Sequence, residues 1–387
     1  MKTTLFTLLA SIYLLFVSCN NNPPSQPTAI TNCNLLTDSL LPIQYAKGFK
    51  IKYFSNFKLI EVYSPKDTSI RIQEYILYKD SIPASMADSK MAIYIRIPIQ
   101  SVACFSTTHI AFLSTLNILD CITAVASINQ TNNPSIKNRF EEGKIIEIGE
   151  ADQIQFEKLA DLHPQLIFSY EIPGSASVGN TLINKLKIPQ IHVSEFLESH
   201  PLGQLEWIKF MAAFFDKEQL ASHIFDSLNQ EYNDLTKLTA SVNNKPNVIT
   251  SLPWKGQWHL PSGNSLITKY IEDAGGKYVM ENNTSEGNLV LPIETVYEKA
   301  LDADYWINTG IANSIQDILN TDQRLKNLPV LKKGKVFNNT AIVNQNGWSD
   351  YYESGVVNPN VILQDLIKIL HPELLPNYQL HYYKKLE

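Results

Sequence analysis

The sequence predicts an α/β protein of two lobes, each with a central, mostly parallel sheet, joined by one long backbone helix. Three observations carry that expectation. Strand and helix patterns alternate between residues 92 and 193. A stretch without Gly or Pro follows from Gln204 to Val242, and the alternation restarts at Asn247. Alternation at this spacing implies βαβ units around parallel sheets.

The N-terminus reads as a secretory leader. Lys2 precedes an apolar run, Leu5 to Val17, which ends in Phe16-Val17-Ser18-Cys19. An apolar core of about 12 residues is too short to span a bilayer, which needs about 20. Residues 1–18 are therefore expected to be a signal peptide. Cys19, directly after a small residue, resembles the lipid-bearing cysteine of bacterial lipoproteins, although Phe16 stands where Leu is usual. Residues 19–42, opening Asn20-Asn21-Asn22-Pro23-Pro24, lack apolar periodicity and fit a flexible tether.

The body then divides into an N-terminal lobe over 43–200, a helical connection over 201–243 and a C-terminal lobe over 244–387. The first lobe starts with period-2 runs, Phe49–Tyr53, Lys58–Tyr63 and Arg71–Tyr78, that read as an antiparallel meander. Ala92–Ile99 and Ser101–Cys104 read as strands, and Ser106-Thr107-Thr108 opens a helix. Strands at Cys121–Ala126, Leu166–Tyr170 and Gln190–Val193 alternate with helices at Phe156–Leu162 and Thr181–Leu186. In the connection, Leu205, Ile208, Met211, Ala212 and Phe215 form one helical stripe. Asp216 and Gln219 have capping-box spacing, so a second helix is expected over 217–242. About 25 residues make roughly 37 Å of helix, the length of a strut between lobes. The last lobe offers Asn247–Thr250, Leu266–Ala274, Leu289–Pro292, Glu294–Lys299, Tyr305–Asn308, Lys335–Phe337 and the helix Val361–Leu370. The halves echo each other: Glu157 opens a helix leading to a strand, and so does Glu294.

Composition excludes several functions. The chain of 387 residues is 44% hydrophobic with a net charge of −6, and only four of its 32 basic residues are arginines: Arg71, Arg96, Arg139 and Arg324. Arginine is the preferred fork for phosphate and base edges, so nucleic acid is not an expected partner. Four cysteines exclude a disulfide-built scaffold. Cys104 and Cys121 either pair in an oxidising compartment or serve as small buried hydrophobes. No GxSxG elbow, P-loop or GxGxxG after a strand is present, and the eight histidines are scattered singly. Neither a catalytic set nor a metal site is expected.

Aromatic residues in loops supply the binding candidates. Trp254, Trp258 and His259 lie in the Gly- and Pro-punctuated stretch 253–263. Trp306 ends a strand, and Trp348 and Tyr351 lie in Asn346-Gly347-Trp348-Ser349-Asp350-Tyr351-Tyr352. Tyr170 and Glu171 follow a strand and should face a crevice. Loops after strands line ligand crevices in open α/β sheets, and clustered Trp and Tyr suit a large, partly apolar ligand. The alternative is that these aromatics plug a minor core.

Residues 90–375 resemble the type III, helical-backbone substrate-binding proteins of ABC importers for iron–siderophores, haem and cobalamin. Phe156-Glu157-Lys158-Leu159-Ala160-Asp161-Leu162-His163-Pro164-Gln165-Leu166-Ile167-Phe168 is similar to the family's LEKILALKPDLVI, with Gln165 where Asp is common. Ser265–Tyr278 with Asp273-Ala274-Gly275-Gly276, Glu294–Asn308 and Pro359–Pro372 follow in the family's order. The turn Ser106–Ala111 lacks the glutamate usual soon after the family's serine-rich turn. The resemblance implies ligand capture between lobes joined by a rigid helix, without chemistry or a resident cofactor. It also implies a surface carboxylate on each lobe that docks onto arginines of the permease; by position these are Glu157 and Glu294. The expected ligand is a metal chelate or tetrapyrrole, and the scarcity of Arg argues against triply anionic catecholates. The expected setting is a monomer facing the periplasm, held to a bacterial membrane by lipid on Cys19. Two rival readings remain at this stage: a surface lipoprotein binding a glycan or protein, and a tetrapyrrole- or metal-processing enzyme on a related fold.

Overall fold

A computed structural model describes residues 39–64, 67–82, 92–149, 153–171, 183–285 and 287–387. The leader, Cys19, Cys33, most of the tether and the start of the expected helix at 181 lie outside the described residues.

The first sheet runs in chain order through β1 (Ser39–Leu40), β2 (Phe49–Tyr53), β3 (Phe57–Tyr63), β4 (Arg71–Tyr78) and β5 (Ala92–Arg96). β1 to β4 pair antiparallel, whereas β5 lies parallel to β4. The Ala92 strand, expected in the alternating body, thus completes the meander's sheet, and Pro98, which has no N–H, follows its end. Alternation turns Phe49, Ile51, Ile60, Val62, Tyr75 and Leu77 into the main core. They pack on the helix Pro201–Ala213, with the Phe49 ring 4.9 Å from that of Trp207 and 5.4 Å from that of Phe210. A Cβ at Gly48 would lie 2.5 Å from Trp207 Cζ2, so only glycine admits this approach.

Two buried carboxylates bind the chain ahead of β2 to the same helical region. Glu206 accepts from the backbone N–H groups of Gln44, Tyr45 and Ala46 at 2.8–3.0 Å and from Lys209 Nζ at 2.8 Å. Lys209 also donates to the Pro42 carbonyl at 2.9 Å and lies 4.1 Å from the centroid of the Phe225 ring. Glu198 accepts from Lys47 N, Gly48 N and Trp207 Nε1.

The N-terminal lobe is built on five parallel strands: β6 (Val102–Cys104), β7 (Ile122–Val125), β8 (Ile146–Glu147), β9 (Leu166–Ser169) and β10 (Gln190–His192). Their order, β10-β9-β6-β7-β8, reverses direction between β6 and β9. In the C-terminal lobe, β11 (Asn247–Thr250), β14 (Lys277–Tyr278), β16 (Tyr305–Ile307), β17 (Val336–Asn338) and β18 (Lys384–Lys385) are ordered β14-β11-β16-β17-β18, and only β18 is antiparallel. This sheet reverses between β11 and β16. A small antiparallel sheet of β12 (Pro253–Trp254), β13 (Gln257–Leu260) and β15 (Leu289–Pro292) lies beside it in sequence.

The strut is the helix Glu218–Thr239, of 22 residues and so about 33 Å long. It packs against both Pro201–Ala213 and the helix Pro359–Leu370. Toward the C-terminal lobe, Tyr232 Oη donates to Asp273 Oδ2 at 2.8 Å and Asn360 Nδ2 to Glu231 Oε2 at 2.7 Å. The expected Asp216–Gln219 capping box is absent. Asp216 sits at φ 56°, and its carboxylate instead receives Lys58 at 2.6 Å and Lys79 at 2.8 Å, tying the strut's start to the meander. Lys217 is the N-cap and makes no side-chain cap bond.

Cys104 and Cys121 are free and buried. The parallel register sets Cys104 beside Val125, four residues beyond Cys121 in the neighbouring strand, so the two thiols are not opposed. Of the two sequence readings, the small buried hydrophobe is the one observed.

Candidate functional site

In open α/β sheets a crevice forms beyond the strand ends at the point where strand order reverses. In the C-terminal lobe that point falls between the ends of β11 and β16. The backbone there turns sharply at two non-glycine residues, Ser251 at φ 64° and Asn308 at φ 53°, and Ser251 N donates to Asn308 O at 3.1 Å. A cavity of about 430 Å³ opens at this junction. Thr250 to Trp254 line one side, Asn308, Gly310 and Ile311 another, and His259, Thr321 and Tyr352 contribute from elsewhere. Its large side chains are unusually open to solvent, with Trp254 63%, Tyr352 58% and Ile311 92% exposed. Clustered exposed apolar groups around a cavity mark a binding surface.

The sequence-predicted residues divide by their position around this cavity. Trp254 and His259 line it. Trp258 and Trp306, expected on its wall, are fully buried behind it. Their rings lie 5.5 Å apart at 35°. Trp258 Nε1 donates to Thr250 O at 3.1 Å and Trp306 Nε1 to Ser251 O at 2.8 Å, so the two indoles brace the strained turn from within. The reason is geometric. β13 alternates, sending Trp258 inward and His259 outward, whereas every residue of β16 is buried.

Tyr351 also stands behind the wall. Its ring meets Tyr352 at 5.0 Å, Tyr383 at 5.8 Å and Tyr382 at 6.0 Å. Burial holds its phenol well above the ordinary range. The cavity receives Tyr352 in its place, and sequence reasoning missed Tyr352, Asn308 and Ile311 as lining groups. Trp348 is half-exposed and belongs to a seam between the lobes. There its carbonyl accepts from Asn132 Nδ2 at 3.2 Å. In the same seam the buried Glu353 accepts from Thr131 Oγ1 at 2.6 Å and from Asn132 N, and Asn344 Nδ2 donates to the carbonyls of Asn129 and Thr131.

In the N-terminal lobe the corresponding reversal point lies between β6 and β9. Tyr170 and Glu171 are exposed there, and the Tyr170 ring meets Phe196 edge-on at 6.3 Å. Ser106 caps the helix Thr107–Thr115 by accepting from Thr108 N. Thr108 Oγ1 in turn donates to Glu195 Oε1 at 2.6 Å. Glu195 is buried and its second oxygen accepts no hydrogen bond; burial pushes its pKa up to about 7. The neighbouring His109 is a core residue, held neutral by burial with its pKa lowered to about 3.

Glu157 and Glu294 are exposed in the first turns of the helices Phe156–Leu162 and Ile293–Ala300, where the helix dipole favours a carboxylate. Glu294 is already paired: Arg324 Nη1 approaches it to 2.5 Å while holding Asp322 at 2.7 Å. Among the described residues no His, Cys, Asp and Glu cluster could hold a metal ion, and no helix is long and apolar enough to cross a membrane.

Two mostly parallel sheets joined by a helix, with a cavity at the reversal point of the second, have the architecture of a two-lobed solute-binding protein. The chain belongs to the periplasmic binding protein family, whose model matches residues 102–342. The meander precedes that match. An uncharacterized lipoprotein of Methanocaldococcus jannaschii is 26% identical over 89% of this chain and 85% of its own length. Among solved structures, a possible iron-binding, periplasmic solute-binding protein from Staphylococcus epidermidis is similar in fold, with a TM-score of 0.56 at 14% identity. That likeness covers 71% of this chain and 100% of the other. A periplasmic haem-binding protein from Pseudomonas aeruginosa gives a TM-score of 0.53 at 14% identity, covering 71% and 93%. The fold is that of the substrate-binding proteins of ABC transporters.

Proposed function

We propose that this protein captures an iron chelate, haem or cobalamin between its lobes and delivers it to the permease of an ABC importer. The single observation that carries the reading is the cavity at the β11–β16 reversal, where Trp254 and Tyr352 stand open to solvent over a braced turn. Trp254 and Tyr352 offer faces for an apolar or aromatic ligand surface, with His259 and Asn308 orienting it by hydrogen bonds. Tyr170, Glu171 and Phe196 would meet the ligand from the other lobe. The strut and the polar seam limit lobe motion to a small hinge closure. Glu157 and Glu294 then guide docking on the permease; exposed ion pairs are each worth only ~0–1 kcal/mol, so they set orientation more than affinity. Lipid on Cys19 would hold the protein, as a monomer, on the periplasmic side of a membrane, in keeping with the lipoprotein name of its archaeal relative.

The test is tryptophan fluorescence of the purified protein titrated with cobalamin, haem and ferric chelates, corrected for absorbance. Saturable quenching by one ligand is expected, with Trp254→Ala weakening affinity about tenfold or more through loss of a ring contact and its buried area. Failure of every ligand to bind a folded sample would remove this reading and favour a glycan or protein partner.

A further inference from the structure

The capture reading leaves open which ligands the cavity accepts, and the arrangement of charge narrows them. Among the described residues no Asp, Glu, Lys or Arg lines the cavity; its polar side chains are hydroxyls, the Asn308 amide, the His259 imidazole and the Trp254 indole. All four arginines of the chain are engaged elsewhere. Arg71 is paired with Glu61, Arg96 donates to the Lys79 carbonyl, Arg139 is paired with Asp120, and Arg324 with Glu294 and Asp322. Lys255, at the neighbouring turn, holds its ammonium 4.2 Å from the centroid of the Trp254 ring. Two helix ends of opposite polarity reach the cavity, the first turn of Leu266–Asp273 through Ile267 and the last residue of Ile315–Thr321 through Thr321. Their dipoles therefore set no preference for charge. In the other lobe the exposed charged group after β9 is an acid, Glu171.

An anion placed here would lose water with no charged lining group to receive it, the Lys255 ammonium resting on the Trp254 ring instead of in the lining, and such a loss is costly. Resting on the capture reading, we propose that the site selects ligands without net negative charge, namely neutral or cationic metal chelates with an apolar or aromatic face. Three hydroxamate groups cancel the charge of a ferric ion, so a ferric tris-hydroxamate meets this description. Three catecholates leave the complex triply negative, and haem carries two propionates; both are disfavoured.

The experiment is a fluorescence titration of the full chain with a ferric tris-hydroxamate, a ferric tris-catecholate and haem, at low and high salt. The tris-hydroxamate is expected to bind at least about 100-fold more tightly than the tris-catecholate, since desolvating an uncompensated charge costs several kcal/mol. Its affinity is also expected to change little with salt. Equal or tighter binding of the catecholate or haem overturns the charge selection while leaving capture standing. Loss of that anionic binding in Lys255→Met would overturn it too, by identifying Lys255 as an anion anchor. If no chelate of any charge binds while circular dichroism shows a folded chain, the capture reading fails and the selection with it.

Discussion

Replacing Glu206 with alanine is expected to lower the unfolding free energy by about 3–5 kcal/mol, the usual cost of breaking one side of a buried ion pair. The side chain is 0% exposed and receives three backbone N–H groups and the Lys209 ammonium. Its loss leaves all four donors without their acceptor in a partly buried site. Because those amides belong to Gln44, Tyr45 and Ala46, hydrogen exchange at these positions should accelerate as urea unfolding reports the loss. A Glu206→Leu/Lys209→Met double variant should be less destabilised than the sum of its single variants, since neither charge is then left buried alone. A loss below about 1 kcal/mol in Glu206→Ala would show that the carboxylate does not anchor the meander.

Glu195 should make the protein less stable as pH rises through the neutral range. Its folded pKa, about 7, lies above its ordinary value of 4.5 because burial penalises the carboxylate. Below pH 4.5 both folded and unfolded chains hold the proton, so the group has no effect. Between pH 4.5 and 7 the unfolded chain releases it first, and stability falls with pH until the cost is complete above 7. At 1.36 kcal/mol per pKa unit the full cost is on the order of 3 kcal/mol. Glu195→Gln preserves the shape and still accepts from Thr108, so it should exceed the native protein in stability at pH 8 by roughly that amount and match it near pH 4. Parallel stability curves for the two proteins across this range would refute the assignment.

Both predictions concern groups whose importance the sequence concealed. Glu206 lies in a stretch legible as a helix, but its backbone partner at Gln44 is 162 residues away and carries no side-chain signature. Glu195 has the same history, since only the folding of β10 beside β9, and of β9 beside β6, brings it to Thr108. The meander itself was readable from alternation, but not that its fifth strand would be Ala92–Arg96, because period 2 specifies a strand without naming its neighbour.

The cavity shows the same division. Because hydrophobic period, glycine and proline act over a few residues, local pattern alone located the aromatic loops, the strut and many of the strands and helices, though not the helix Pro134–Glu141 or the helix Ile315–Thr321. It even contained the inward–outward choice between Trp258 and His259, through the alternation of Gln257-Trp258-His259-Leu260. Trp306 had no such signal: β16 is a central strand covered on both faces, so periodicity vanishes there. Which of Tyr351 and Tyr352 faces the cavity depended on tyrosines at 382 and 383 filling the region behind. Sequence determined many of the elements. Tertiary structure decided which face of each element became wall, brace or core, because that choice belongs to neighbours distant in the chain.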